Sequence, residues 1–208
     1  MKSLLPIGLF LLFCSYSLMA QPLFEVQPTN NAPKGFDRLF TKQVEFFGIS
    51  IFATAKTPDS KILHAAGLLA QYLDNDNDGQ PDNQLVIEAI HRSKGAVVMS
   101  ATKQEADKID LHRYIPEKVW DGMTILVLHA EDTHPKGASH GVFDAAYEEI
   151  LHLITSAGYA NAYPDIFGEK RGTALALAMD QARGGYFRRV PRKYPDRAWF
   201  AYDERSCD

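Results

Sequence analysis

The segment Asp74-Asn75-Asp76-Asn77-Asp78-Gly79-Gln80-Pro81-Asp82 constrains this chain more than any other. Nine consecutive turn-forming residues are compatible with neither helix nor strand. Residues spaced for a helix lie on both sides. Upstream, Ile62, Leu63, Ala66, Leu69, Ala70 and Leu73 form one apolar stripe, and downstream residues 84–92 predict a second, shorter helix. The chain must fold here as helix, loop, helix. Asp74, Asp76 and Asp78, at every second position, aim their carboxylates into one tight turn. Gly79 permits the reversal, the Gln80 carbonyl offers a further oxygen and Asp82 closes the loop. Calcium takes about six to eight oxygen ligands, and this loop supplies most of them. We therefore expect Ca²⁺ at Asp74, Asp76, Asp78, Gln80 and Asp82, clamping the two helices, with Glu88 as an outlying extra donor.

The remaining pattern is mixed. Val44, Phe46, Phe47, Ile49, Ile51 and Phe52 predict a strand over 44–55. Thr57-Pro58-Asp59 predicts a helix start, with Thr57 as N-cap, proline in the first turn and an acid near the positive end. A second strand is expected over 95–99. A third, over 123–128, is almost continuously apolar and so expected to be buried on both faces. Helices are predicted over 143–157, ending near Gly158, and over 173–183, ending at Gly184-Gly185. The 208 residues, 46% apolar and 23% charged, suit an ordinary globular chain. Strands and helices without strict alternation indicate an α+β fold, a single domain over 21–208. A net charge of −4 with no broad basic face argues against nucleic-acid binding.

The ends carry two further expectations. Met1-Lys2-Ser3 precedes an apolar run over 4–13, and Leu18-Met19-Ala20 offers a cleavage site, so residues 1–20 read as a signal peptide. The run is short for a membrane span, and export to the periplasm or the extracellular space without a stable membrane anchor is expected. Loss of Cys14 with the leader leaves Cys207 as the single cysteine. An odd cysteine in an exported chain, in a segment that does not fade like a tail, predicts a partner cysteine downstream and an incomplete C-terminus.

Within the helix predicted over 143–157, Glu148 and His152 are four apart and share a face, with Glu149 between them. Phe143, Tyr147, Ile150, Leu151 and Ile154 are expected to form its buried stripe, which places the charged trio beside the core. Glu148-Glu149-Ile150-Leu151-His152 resembles the His-Glu-x-x-His helix of the zincin metallopeptidases. The resemblance implies a zincin-like mixed sheet with an active-site helix, a strand flanking a substrate cleft, bound Zn²⁺ and a peptide or protein substrate. It assigns Glu149 as general base and His152 as a zinc ligand. The chain departs from the motif at Glu148, which stands where the first His would be and makes the site more anionic. The resemblance also asks for a third ligand downstream. Asp180 is the first candidate, since a bare carboxylate in the apolar run 176–179 would be costly, although Arg183 is three residues on and could pair with it. Glu169, His134 and His140 are the alternatives, and Tyr159 or Tyr163 would serve an oxyanion. The loop at 74–82, in turn, resembles the calcium loops of EF-hands and thrombospondin type 3 repeats. It differs from the EF-hand in carrying Leu85 at the twelfth position.

A second reading is a non-catalytic, exported calcium-binding or adhesion domain, which Glu148 in place of His favours. Glu88-x-x-His91 and Glu149-x-x-His152 also match the paired motif of di-iron bundles, but the helices are too short and the strands too many for a four-helix bundle. Neither a Gly-rich phosphate loop nor a Gly-x-Ser-x-Gly elbow occurs.

Overall fold

The computed structural model describes residues 24–137 and 141–199. The expected leader, His140 and Cys207 lie outside the described residues. Five strands form one mixed sheet: β1 (Gln27–Pro28), β2 (Lys42–Phe46), β3 (Ile49–Ala53), β4 (Ala96–Ser100) and β5 (Ile125–His129), in that spatial order. The first two pairings are antiparallel and the last two parallel. Helices α1 (Asp59–Leu73) and α2 (Gln84–Arg92) connect β3 to β4. After β5 come α3 (Ala145–His152), which continues through π-type turns over Leu153–Tyr159, and α4 (Ala174–Ala182). The fold is α+β, as the mixed pattern predicts.

Apolar side chains fill both faces of the sheet. One face carries Val44, Ile51, Val97, Met99 and Leu128 against Leu69 of α1, Ile90 of α2 and Ile150 and Leu153 of the α3 segment. The other packs Phe36, Phe40, Phe52, Val98 and Ile115 together. Each large side chain fully removed from water contributes about 1.5–3 kcal/mol, so these two clusters hold the sheet.

Four elements differ from expectation. The strand expected over 44–55 is a hairpin: Phe47 (φ 47°) and Gly48 (φ 74°) form a two-residue turn between β2 and β3. Two left-handed residues match the favoured hairpin twist, but Phe-Gly lacks the Asn or Asp that marks such turns in sequence. Thr57 does not cap α1. Pro58 holds the N-cap position, and the buried Thr57 hydroxyl donates to the Met99 carbonyl at 3.2 Å, tying the helix start to β4. Strand β5, at one edge of the sheet, is not buried on both faces, since Val127 is 44% exposed. The connection from β4 instead forms three short helical turns, Lys103–Ala106, Leu111–Tyr114 and Glu117–Trp120. Finally, Gly158 does not end a helix. It is buried inside one, where an added Cβ would come within 2.7 Å of Val86 Cγ1. Glycine is needed there so that α2 can approach.

Candidate metal and catalytic sites

Asp144 fixes the start of α3. Its Oδ1 accepts from the backbone N–H of Ala146 (3.1 Å) and of His134 (3.0 Å), and its Oδ2 lies 2.6 Å from Nε2 of His64 on α1. Burial alone would raise this carboxyl. The N–H groups of His134 and Ala146, with the His64 imidazole, outweigh it and hold the group below the ordinary aspartate value. One side chain thus joins α1, the loop after β5 and α3. The sequence carries the signal, an Asp directly before Ala145-Ala146, but the helix is expected over 143–157, two residues before its observed start.

The buried side of the α3 segment is Ala146, Ile150, Leu153, Ile154 and Ala157. Phe143, Tyr147 and Leu151, expected in that stripe, are exposed instead. The three charged residues of the motif differ in burial. Glu148 and His152 face outward, with side chains 55% and 53% exposed, and Glu148 Oε1 lies 3.5 Å from His152 Nε2. Glu149 is half-buried. Its carboxyl is raised, chiefly by burial, with Glu148 adding to the rise and His152 and His129 opposing it. His129, at the carboxyl end of β5, escaped the sequence reading. Its Nδ1 lies 2.7 Å from Ser100 Oγ at the end of β4. Open sheets with parallel strands place their ligand sites at these carboxyl ends.

The pair fits two positions of a transition-metal site. Donors about 2.0–2.1 Å from a tetrahedral zinc lie about 3.3 Å from one another, close to the observed separation. The expected third ligands are elsewhere. Asp180 Oδ1 lies 3.4 Å from Arg183 Nη2, so the ion pair along α4 is what forms. Glu169 is exposed on a loop. Among the described residues, the one place where three acidic, His or Cys donors come within 4.8 Å of one another is Asp74, Asp76 and Asp78. Tyr163, an oxyanion candidate, exchanges hydrogen bonds with the Asn83 side chain at the start of α2, and Tyr159 stacks on Tyr163 and meets Phe167 at a tilt.

The loop at 74–82 brings Asp74, Asp76 and Asp78 together, with Asp74 buried and Asp76 and Asp78 exposed. Buried Asp74 accepts from the backbone N–H of Asp78 and of Gly79, both at 3.0 Å. Asp78 accepts from Gln80 N–H at 2.8 Å, and Asp82 from Asn75 N–H at 2.9 Å. Asn77 (φ 58°) and Gly79 (φ 82°) take the left-handed conformations that the reversal needs. No ion pair from a described Lys or Arg neutralises Asp74, Asp76 or Asp78. Gathered carboxylates without a cationic side chain suit a hard cation. Asp82 stands outside the triad and closes the loop through Asn75.

No protein-family model matches the chain, and neither the curated proteins nor the solved structures give a match.

Proposed function

We propose that the chain is an exported metal-dependent hydrolase of peptide bonds, zincin-like in its active helix, with calcium in the loop at 74–82. The observation that carries the reading is the Glu148–His152 donor pair at 3.5 Å, with half-buried Glu149 between them on one helix beside the end of β5. His152 and Glu148 would hold a transition metal, with zinc the expected ion. Bound there, the metal would polarise a substrate carbonyl. Glu149 takes a proton from the attacking water and passes it to the leaving amine. Burial, the largest influence on this carboxyl, raises it.

Elemental analysis of the purified protein and of a His152→Ala variant tests this. Near-stoichiometric zinc, lost in the variant, is the expected result. Calcium alone in both proteins would defeat the hydrolase reading. It would select the second one, a non-catalytic calcium-binding domain, which the lack of a third described donor beside Glu148 and His152 favours.

The calcium site has its own readout. An ion present at about a hundredfold above its Kd stabilises by about 2.7 kcal/mol, or about 5–10 °C in Tm for a chain of this size. A chelator is therefore expected to lower Tm by that amount, and Asp76→Asn with Asp78→Asn to abolish the response. A Tm unchanged by chelation would remove calcium from the loop.

A further inference from the structure

A cleft of about 440 Å³ lies at the C-terminal end of α4, lined by Asp180, Gln181, Gly184, Gly185, Arg197 and Trp199. That volume falls within the range of small-molecule sites, about 300–1,000 Å³. Main-chain bonds build its walls. The Gly185 N–H donates to the Asp180 carbonyl at 2.7 Å, and the Gly184 N–H to the Gln181 carbonyl at 3.0 Å. Arg197 donates through Nε (3.1 Å) and Nη2 (2.7 Å) to the Gly184 carbonyl. The Trp199 N–H donates to the Ala182 carbonyl at 3.0 Å, which holds the residue at the rim while 79% of its surface stays exposed.

Side-chain capacity remains after these contacts. Asp180 uses Oδ1 toward Arg183, and its Oδ2 has no hydrogen bond among the described residues. The Gln181 amide and Arg197 Nη1 are likewise uncommitted among them. The chemistry left over discriminates between ligands. A lipid or other apolar ligand needs apolar walls, and Trp199 is the one large apolar surface here. A cation meets Arg197 together with the Arg183 that already engages Asp180, and an anion meets the Asp180 carboxylate. A neutral polyhydroxylated ring meets neither penalty. Its C–H face can cover the indole, and its hydroxyls can both donate to a carboxylate and accept from a guanidinium and an amide.

We propose that this cleft is a saccharide-binding site, with Trp199 as the stacking platform and Asp180, Gln181 and Arg197 as the hydroxyl-reading groups. It is independent of the metal chemistry on α3. The test is retention of the whole mature protein on a glycan array. Titration follows with the best-retained free oligosaccharide, read by tryptophan fluorescence. Trp199→Ala is expected to weaken binding at least tenfold with Tm unchanged, since the ring is exposed. Trp199→Phe should retain most of the affinity. Asp180→Asn is expected to weaken binding at least tenfold while leaving zinc and calcium content as in the parent. Absence of binding to every glycan, or binding unaffected by Trp199→Ala, would overturn the site. Loss of a bound transition metal in Asp180→Asn would also overturn it and return Asp180 to the metal centre.

Discussion

Asp144→Ala is expected to lower the unfolding free energy by about 3–5 kcal/mol. The N-cap alone is worth about 1 kcal/mol. The Ala146 N–H it serves is one of the unsatisfied donors at the start of α3. The substitution also strips the acceptor from the His134 N–H and from His64 Nε2. Each buried donor left unpaired costs about 1–3 kcal/mol, and the three losses share one site, so they do not add in full. Against a total of about 5–15 kcal/mol the deficit is severe. Asp144→Asn keeps one acceptor oxygen and is expected to lose about half as much. The pH dependence has a definite sign. A carboxyl held below its unfolded value stabilises the fold at pH above that unfolded value. The contribution disappears as pH falls through the lower, folded value. Urea unfolding at neutral pH and in acid should therefore show parent and Asp144→Ala converging in acid. A neutral-pH difference below about 1 kcal/mol would mean that Asp144 does not anchor the helix.

The same residue shows where the chain is readable from sequence. The carboxylates of the 74–82 loop act on backbone N–H groups a few residues away, so local pattern suffices to find them, whereas Asp144 also reaches His134 and His64, which no local pattern announces. The Asp180–Arg183 pair is also local and visible as one of two fates for that carboxylate. Helices α1 and α2 follow their apolar periodicity. Long-range packing hides the rest. Nothing near Gly158 in sequence announces that Val86 and Ile90 will press against it, so a buried close approach looks like a helix stop. An apolar run cannot say whether other elements will cover both faces of a strand, so the partly exposed edge strand β5 reads as buried on both. His129 becomes relevant to Glu149 through the packing of α3 against β5, between residues twenty positions apart. The outward turn of Phe143, Tyr147 and Leu151 has the same origin. The helix carries apolar residues on more than one side, and Ala146, Ile150, Leu153, Ile154 and Ala157 are the ones that become buried.

On the proposed hydrolase reading, Glu149→Gln is expected to reduce peptide hydrolysis by about 10²–10⁴-fold, the usual value of a positioned general base. The substitution is close to isosteric and keeps the hydrogen-bonding outline while removing the proton acceptor. Glu148 and His152 are untouched, so bound zinc should remain at the parent level. This separates the chemical role from metal loss, which His152→Ala would cause. Stability gives a second readout of known sign. Burial penalises the ionised form of Glu149, so the folded protein holds that proton more tightly than the unfolded chain does. Ionisation therefore costs stability at pH above the folded value, and the cost vanishes below the unfolded one. Glutamine escapes it, so the variant should melt no lower than the parent at neutral pH. In the parent, hydrolysis should rise with pH on an acid limb, because the base must be ionised to act. Hydrolysis of a mixed peptide library at several pH values, with zinc content and Tm recorded for both proteins, supplies every quantity. Full hydrolysis by a zinc-loaded Glu149→Gln variant would place the base elsewhere. A zinc-loaded, stable and inactive variant would establish Glu149 as the group that moves the proton.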